Sequence, residues 1–444
     1  MRVLTLSYLY YFSRYIDAII KDLEDNRKKD IIATHVCFYP SAYQYYKKNN
    51  IVAIPLYKNK IKSKLINQDI YKDFDLNKII NFHRTLLGDS NKLIIQLKKE
   101  AIYLIDFYED LFKKNNFDLV LSFTENRMQV EIPIEFAKRS NIKIFYIEQG
   151  PFKTMTLDEK GVLANLSFST KELDPNINKS KLDLFFKNLK NRNTDKYNIE
   201  LTFVDKILNS LDNLFFSPPN ILKNKFPLYL RDNTLFNDKL KSFICKRFKL
   251  NKRKIEEILP NKYISFILQV PADAQMISHS PLYQSFYNML TDIYIAKPKD
   301  YKLVVREHPV YKGMYEKALY KFIETHSDIL LINDVPLEEF LIRSELIILN
   351  NSTVGLDALV YYKKIITLGN TYYNRDNIVF HLNKKKDLKE LIMMAIKSKV
   401  KNEAIDIFLF NLIFNFLIHN HLIDYKYSNM EQVSAKILNN NSYD

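Results

Sequence analysis

The chain has 444 residues, of which 47% are hydrophobic and 26% are charged, and its formal net charge at neutral pH is +15. Because this length exceeds the size at which a single hydrophobic core keeps growing, we expect two domains of roughly 150 to 250 residues. The composition excludes a largely disordered chain, and only two cysteines, Cys37 and Cys245, exclude a disulfide-rich secreted scaffold.

The first half alternates apolar runs of strand length with amphipathic helical patterns. Residues 1–9 are apolar but have no basic lead or small-residue cleavage site, so they predict a first strand rather than a signal peptide, in a cytoplasmic protein. We predict strands at 1–7, 35–39, 117–123 and 142–147, with helices such as 12–24 and 92–113 between them. This alternation is typical of βαβ units and a mostly parallel sheet.

The second half repeats this pattern. We predict strands at 263–269, 302–306, 329–332, 346–349 and 364–368, and helices at 281–293, 315–325, 336–344 and 355–361. The apolar run at 405–418 is too short to cross a bilayer and predicts a buried helix.

These patterns predict four regions of the chain. They are an N-terminal Rossmann-like domain at 1–175, a Lys/Asn-rich insertion and connection at 176–262, a second Rossmann-like domain at 263–385, and helices that pack back across the domains at 386–444.

Five of the six glycines lie in three short stretches, 148–161, 306–313 and 350–369. In a chain this poor in glycine, such stretches mark places where the backbone turns sharply or closely approaches a ligand. They therefore indicate the position of a functional site.

The segment 346–359 predicts a strand, a polar turn and a helix. Asn351, Ser352 and Thr353 lie in the turn, the hydroxyls at N-cap positions, where free backbone N–H groups could bind a phosphate. Asp357, one turn into the helix, could accept hydrogen bonds from ribose hydroxyls. An ordinary capped helix is the alternative interpretation.

Two further corners of the same predicted sheet carry polar residues. Arg306 and His308 follow one strand, where a cation or a hydrogen-bond donor could neutralise charge on a leaving phosphate. Gln269 and Asp273 follow another, where they could contact a sugar or a base edge, or only satisfy loop backbone. Because parallel strands end at one sheet edge, we expect these residues to lie near one another.

The first half offers acidic residues at strand ends. Glu148 ends a strand just before a tight turn and could serve as nucleophile, general base or hydroxyl-binding group. Glu125 and Arg127 follow the preceding strand, and Asp158 follows the turn. We place Glu125, Arg127 and Asp158 in the same cleft, as residues that could contact an acceptor substrate.

Several other chemistries lack their motifs. The only D-x-D triplet, at 73–75, lies in a Lys-rich stretch without a preceding apolar strand, so we expect no metal site there. The chain has no Walker loop, no G-x-G-x-x-G fingerprint and no zinc-type His/Cys cluster. The basic charge alone suits nucleic acid, but no nucleic-acid motif accompanies it, and we expect no such partner.

The ordered set of motifs resembles the bacterial capsule polysaccharide biosynthesis proteins that act as β-Kdo transferases. The resemblance runs from about residue 145 to 373 and rests on these segments: Glu148-Gln149-Gly150, Leu268-Gln269-Val270-Pro271, Arg306-Glu307-His308-Pro309, Asn351-Ser352-Thr353-Val354-Gly355, and Leu368-Gly369 with Tyr372-Tyr373.

This resemblance implies a GT-B-like α/β fold, in which two Rossmann-like domains with parallel sheets face a central cleft. It implies a retaining transfer of Kdo from CMP-Kdo to a phosphatidylglycerol-type lipid or nascent linker, by a peripheral protein at the inner face of the inner membrane, with other capsule-assembly proteins as possible partners. By this resemblance His308, Ser352 and Thr353 would contact the nucleotide phosphate and Asp357 the ribose. Glu148, or else Asp273, would be the nucleophile, and no metal or other cofactor is expected.

Two alternatives stay open. One is an enzyme of the same fold that uses CMP-sialic acid or another nucleotide sugar. The other is a noncatalytic capsule-assembly factor that keeps the fold and the motif residues.

Overall fold

The computed structural model describes residues 1–58, 73–190, 203–216, 218, 226–231, 259–271, 273–422 and 430–438. The chain divides into two compact units. Unit 1 contains Met1–Val162, Thr194–Phe236 and Leu417–Asp444, and unit 2 contains Leu163–Asn193 and Asn237–Phe416.

Unit 1 is built on a six-stranded sheet. Its strands are β1 (Arg2–Ser7), β2 (Ile32–Cys37), β3 (Ala53–Pro55), β4 (Leu119–Phe123), β5 (Lys143–Gln149) and β6 (Met155–Asp158). They lie in the order β3-β2-β1-β4-β5-β6, and all pairs are parallel except β5 with β6. β1 and β4 are almost wholly buried, as expected for central strands covered on both faces.

The helices of unit 1 are α1 (Tyr10–Asp25), α2 (Pro40–Lys48), α3 (Leu76–Leu87), α4 (Asn91–Lys114), α5 (Met128–Arg139), α7 (Phe203–Phe216) and α15 (Glu431–Ile437). Two of these helices, α3 and α4, begin at a side-chain cap, Asp75 and Ser90 respectively. Asp75 caps α3 by accepting from the backbone N–H groups of Asn77 and Lys78 at 3.0 and 3.1 Å. The D-x-D triplet therefore supplies a helix cap.

Unit 2 has a second six-stranded sheet. Its strands are β7 (Tyr263–Ile267), β8 (Lys302–Arg306), β9 (Ile329–Leu331), β10 (Leu346–Leu349), β11 (Ile365–Thr367) and β12 (Phe380–His381). They lie in the order β12-β11-β10-β7-β8-β9, and every pair is parallel. The core on one face joins Phe266, Leu303 and Ile348 of the sheet to Phe286 and Ile392 of the helices.

The helices of unit 2 follow its strands. They are α6 (Lys179–Lys190), α8 (Ala274–His279), α9 (Phe286–Ala296), α10 (Lys317–Thr325), α11 (Leu337–Arg343), α12 (Val354–Val360), α13 (Leu388–Lys397) and α14 (Asn402–Phe410), which continues as a π-helix at Asn411–Phe416. Short 3-10 turns lie at Leu56–Lys58, Leu163–Asn165, Ser167–Thr170, Leu228–Leu230, Pro309–Tyr311 and Lys385–Asp387.

Both sheets have the same strand topology. Numbered within its own unit, each runs 3-2-1-4-5-6, the Rossmann order, which reverses direction between its first and fourth strands. The predicted fold class, α/β and GT-B-like with two Rossmann-like domains, is confirmed. In such sheets ligands bind at the carboxyl ends of the strands near this reversal, which lies between β1 and β4 in unit 1 and between β7 and β10 in unit 2.

Some elements differ from their predicted bounds. The helix predicted at 281–293 begins at Phe286 because Ser285 caps it, its hydroxyl accepting from the Asn288 N–H at 3.3 Å. The buried helix predicted at 405–418 is α14 with its π-helical continuation, after which Ile418 forms a bridge with Met155. Of the two cysteines, Cys37 is buried as expected, and Cys245 lies outside the described residues.

Most of the predicted insertion at 176–262 also lies outside the described residues. Among the helices that the structure does describe, we find none with the length and apolar character that crossing a bilayer requires.

Candidate functional site

A hydrogen-bonded polar set lies at the strand reversal of unit 2, where β7 and β10 end side by side. The Gln269 side chain donates from Nε2 to Asn351 Oδ1 at 2.8 Å and accepts from the Asn351 backbone N–H at 3.3 Å. Asn351 Nδ2 donates in turn to the carbonyls of Gln275 and His279, at 3.0 and 3.2 Å. Two residues predicted at separate corners are therefore joined directly.

Both amides are used within the protein. Gln269 and Asn351 are buried, and Asn351 Oδ1 also accepts from Asn350 Nδ2 at 3.1 Å. Their side chains fix the loops that follow β7 and β10, and we expect them to position other groups rather than to contact a ligand themselves.

The loop after β8 is tied to this set through Tyr315. The Tyr315 hydroxyl donates to the Gln269 carbonyl and accepts from the His308 backbone N–H, both at 3.1 Å. No motif marked Tyr315 in the sequence, because its role depends on two loops that only the fold brings together.

His308 presents a hydrogen-bond donor. Its Nδ1 accepts from the Val310 backbone N–H at 3.3 Å, an arrangement that assigns the proton of the neutral ring to Nε2. Burial lowers the pKa of this half-buried imidazole, so it is neutral at pH 7. A neutral Nε2–H group is suited to a phosphate or sugar oxygen.

Arg306 has mainly a structural setting. Its guanidinium donates to the Val335 carbonyl at 2.7 Å and lies 5.1 Å from the ring centre of Phe340. It is half-buried at the end of β8 and holds the loop after β9. Arg306 and His308 therefore lie at the same end of β8. The Arg306 guanidinium is used in a contact with the backbone, whereas the backbone contact of the His308 ring uses only Nδ1.

The polar turn after β10 is packed tightly against Tyr373. A Cβ on Gly355 would lie 2.6 Å from the Tyr373 hydroxyl, which donates to the Ser352 carbonyl. Ser352 Oγ accepts from the Val354 N–H at 3.3 Å, and the exposed Thr353, at the N-cap position, makes no side-chain capping bond. Of the two hydroxyls predicted at N-cap positions, that of Ser352 rather than that of Thr353 therefore accepts from a backbone N–H group at the start of the helix.

Asp357 lies in the first turn of the seven-residue helix α12. The described residues include no hydrogen-bond partner for its half-buried carboxyl. Loss of hydration raises its pKa from 3.8 to about 7. A carboxyl in this state can accept hydrogen bonds from ligand hydroxyls, and its charge changes near neutral pH.

Two further groups beside these loops were not among the predicted site residues. His279 Nε2 and the Tyr372 hydroxyl are buried without a hydrogen-bond partner in the described structure. Burial lowers the pKa of His279 to about 4, which keeps its ring neutral. In the sequence these two residues are only a histidine at the end of a short helix and a tyrosine in a loop after a strand, and their burial without a partner is what distinguishes them, since unpaired buried polar groups are uncommon.

The two candidate nucleophiles lie in different units. Glu148 is half-buried at the end of β5 in unit 1, and its Oε1 accepts from the Gln149 N–H at 3.1 Å. Asp273 is the N-cap residue of α8 in unit 2, on the loop after β7, and its side chain makes no capping bond. Asp273 is therefore on the same sheet edge as Gln269.

Two of the predicted acceptor residues lie at the carboxyl end of β4 in unit 1, and the third, Asp158, ends the antiparallel strand β6 level with Tyr146 of β5. Glu125 and Arg127 are half-buried in the loop after β4. Arg127 stacks on Phe82, 4.8 Å from its ring centre. Asp158, at the end of β6, is buried and accepts from the Lys160 and Gly161 N–H groups at 2.8 and 3.3 Å, so it also shapes its own turn.

The described residues contain no group of three or more His, Cys, Asp or Glu side chains that could hold a metal ion. The candidate site of unit 2 contains the amides of Gln269 and Asn351, the imidazole of His308, hydroxyls, and the two carboxyls of Asp273 and Asp357.

Two Rossmann-like units define an α/β protein of the GT-B type. A family model described as "Capsule polysaccharide biosynthesis protein" matches residues 118–390, more than half of the chain, and the protein belongs to this family.

Two curated proteins are similar in sequence. The capsule polysaccharide export protein KpsS of Escherichia coli is 25% identical over 294 residues, which cover 61% of this chain and 72% of that protein. Protein FixF of Sinorhizobium fredii is 29% identical over 136 residues, covering 30% of this chain and 33% of that protein.

Solved structures with a similar chain path include two enzymes. Thermosulfurimonas dismutans KpsC, a β-Kdo 2,7 transferase, is 13% identical with a TM-score of 0.40, and 98% of each chain is covered. The UDP-GlcNAc 2-epimerase of Neisseria meningitidis is 14% identical with a TM-score of 0.34, and 99% of this chain and 100% of that one are covered.

Proposed function

We propose that the protein is a retaining glycosyltransferase that moves Kdo from CMP-Kdo to a phosphatidylglycerol-type lipid or a nascent linker during capsule synthesis. The observation that carries the proposal is the joined set of Gln269, Asn351 and, through Tyr315, His308 at the strand reversal of unit 2. These motif residues lie where Rossmann-like sheets bind their ligands. Family membership supports a role in capsule synthesis.

The donor nucleotide would be held by unit 2. His308 would donate from Nε2 to the phosphate of the departing CMP, and the hydroxyls of Ser352 and Thr353 would contact the same phosphate. Asp357 would accept hydrogen bonds from the ribose. A single leaving phosphate can be stabilised by protein donors of this kind, so the proposal includes no metal or other cofactor.

Retention would follow from two displacements. A carboxylate, with Glu148 as the first candidate and Asp273 as the second, would attack the anomeric carbon as the bond to the CMP phosphate breaks. The acceptor hydroxyl would then displace that carboxylate and give up its proton to a base. Two inversions at one carbon restore its starting configuration.

The acceptor would be reached at a membrane surface. A formal charge of +15 would attract the protein to the anionic inner face of the bacterial inner membrane. Other proteins of capsule assembly are natural partners at that surface, and nucleic acid is not proposed.

A panel of sugar nucleotides tests the proposed donor. The purified protein is incubated with CMP-Kdo, CMP-sialic acid, UDP-GlcNAc and UDP-glucose together with dispersed phosphatidylglycerol, and the release of CMP and UDP is measured. The proposal expects CMP release from CMP-Kdo. Release of CMP from CMP-sialic acid alone identifies the enzyme with the alternative donor, and UDP release without turnover of CMP-Kdo contradicts the proposal.

A second candidate is a noncatalytic capsule-assembly factor. It is favoured by the similarity to a relative that carries the name of an export protein. If this candidate is right, cells with His308→Ala will still form capsule, whereas the transferase requires the His308 donor.

A further inference from the structure

A second set of buried polar groups lies in unit 1, at the carboxyl ends of β4 and β5. Asn126 Nδ2, both side-chain amide atoms of Gln129 and the hydroxyl of Tyr146 are buried and have no hydrogen-bond partner in the structure. Gln129 and Tyr146 are each 0% exposed. Since each such group costs about 1–3 kcal/mol when unpaired, a set of three in one region calls for an explanation.

The strand register places one member of this set, Tyr146, level with the penultimate residue of β4. Ser122 of β4 is paired with Tyr146 of β5, and Tyr146 is paired with Asp158 of β6. Asn126 lies in the loop that directly follows β4, and Gln129 lies in the first turn of α5 after that loop. Asn126 is half-buried, so the set, which we call the unit 1 polar cluster (Asn126, Gln129, Tyr146), extends from the surface inward.

The backbone of Gln129 is fixed independently of its side chain. Pro133 has no N–H to donate to the Gln129 carbonyl four residues earlier, and the Tyr108 hydroxyl replaces this donor at 2.9 Å. The helix is therefore anchored at this point by α4, while the Gln129 amide has neither a donor nor an acceptor among the described residues.

The chemistry of the cluster favours hydroxyl groups over phosphate. Burial first, and then the nearby carboxylates of Glu125 and Asp158, raise the pKa of Tyr146, so its hydroxyl remains a proton donor. Two amides, one phenol and two neighbouring carboxylates can donate to and accept from ligand hydroxyls. The two carboxylates would repel a phosphate at the same place.

We propose that the unit 1 polar cluster binds vicinal hydroxyls of the acceptor, from either a sugar residue or a glycerol headgroup. The inference rests on the proposed function, because a glycosyltransferase needs a second site that orients the accepting hydroxyl. It assigns Asn126, Gln129 and Tyr146, none of which the motifs indicated, to acceptor recognition.

The test uses near-isosteric variants of the full chain. Tyr146→Phe and Gln129→Met remove only groups that have no hydrogen-bond partner in the described part of the chain, so we expect an unfolding temperature equal to or above that of the wild type. We expect the acceptor KM to rise at least about tenfold in each, with the donor KM retained. Asn126→Ala, in the half-buried loop, provides a third variant with little risk to folding.

The matched control is Tyr263→Phe in unit 2, whose buried hydroxyl donates to the Phe340 carbonyl at 2.8 Å. It should lower stability and leave the acceptor KM unchanged. Measurements with a soluble Kdo oligosaccharide and with micellar phosphatidylglycerol distinguish the two sources of the hydroxyls. An unchanged acceptor KM in all three cluster variants, with both acceptors, overturns the inference and indicates that ordered water satisfies these groups.

Failure of the proposed function is a different result. If the wild type turns over no sugar nucleotide, binding of the same two probes is measured by ligand-detected NMR on wild type and Tyr146→Phe. Weaker binding to Tyr146→Phe supports the acceptor site by itself, and equal or absent binding overturns it.

Discussion

The carboxyl of Asp357 couples the candidate site to pH. Its pKa of about 7 is far above the value of 3.8 for an exposed aspartate, because burial disfavours the charge. Between these two values the unfolded chain loses this proton while the folded chain keeps it. The free energy of unfolding therefore falls as the pH rises from 3.8 to about 7, and the whole contribution of Asp357 to this loss is present above about pH 7.

Asp357→Asn should consequently stabilise the protein at alkaline pH. At pH 8 we expect an increase in the free energy of unfolding on the order of 1–2 kcal/mol, shrinking as the pH falls toward 5. Denaturant titrations of both proteins across this range measure the difference. A constant difference at every pH would show that the Asp357 pKa is not raised.

His308 should be needed for turnover rather than for folding. Removal of a single donor to a leaving group costs about 100-fold or more in rate, so His308→Ala should lower kcat for donor turnover by that order with little change in melting temperature. The matched control is His326→Ala. His326 lies before the amino end of β9, whereas His308 follows the carboxyl end of β8. Equal rates for the two variants would remove His308 from the mechanism.

The π-helical end of α14 depends on one buried asparagine. Asn411 Nδ2 donates to the Asp174 carbonyl at 2.8 Å, and Asn411 Oδ1 accepts from the Asp174 N–H at 3.1 Å. The same amide donates to the Ile407 carbonyl at 2.9 Å. The Asn411 side chain therefore supplies the hydrogen-bond partners of the Asp174 backbone that another stretch of backbone would otherwise supply.

Asn411→Ala should leave the polar backbone groups of Asp174 without these partners. We expect a loss of about 2 kcal/mol in the free energy of unfolding, measured by denaturant titration. Asn415→Ala is the control, because the exposed Asn415 donates only to Asn411 and should lose less than about 0.5 kcal/mol. Similar losses for both variants would show that the Asp174 contacts add nothing.

The predicted elements differ in how well local sequence defines them. The strands predicted at 302–306 and 346–349 are confirmed to the residue, because strands buried on both faces are continuous apolar runs between polar turns. β6 and β12 were missed, since they have only four and two residues and depend on neighbouring strands for their pairing. α8 was missed for a similar reason, as a six-residue helix gives little periodicity.

The chain returns to unit 1 after residue 416. Ile418 exchanges two backbone hydrogen bonds with Met155 of the edge strand β6, each of 2.9 Å. Further on, Ser434 of α15 donates to Asp22 of α1, and Arg27 pairs with Glu431 at 3.6 Å. The C-terminal segment therefore covers a sheet edge and one helix of a unit that begins at residue 1.

Deletion of residues 417–444 should destabilise unit 1 selectively. We expect faster hydrogen exchange at the amides of β6 and α1, with exchange in β7 and β10 unchanged. Mass spectrometry of the two proteins measures this. A chain that ends at residue 438 retains these described contacts and should exchange like the full chain, and uniform acceleration in both units would contradict the prediction.

The sequence indicated the loops of the candidate site more readily than it indicated the roles of individual residues in those loops. Gly355 and Gly369 lie in loops that the sequence marked, and at both positions a Cβ would collide, with Tyr373 and Asn350 respectively. The sequence could not indicate that Gln269 and Asn351 would bond to each other. Nor could it single out His279 or Tyr372, since what distinguishes them is a buried polar atom without a partner among the residues that the structure describes.

The sequence by itself determined the two α/β units, because apolar runs alternating with helical patterns bury well only as parallel sheets covered by helices. It also determined which loops carry polar residues at the strand ends. Only the tertiary structure decided which of these residues are occupied by protein contacts and which have no hydrogen-bond partner among the described residues. The physical reason is that pairing and desolvation depend on neighbours distant in the chain, as the burial that raises the Asp357 pKa to about 7 illustrates.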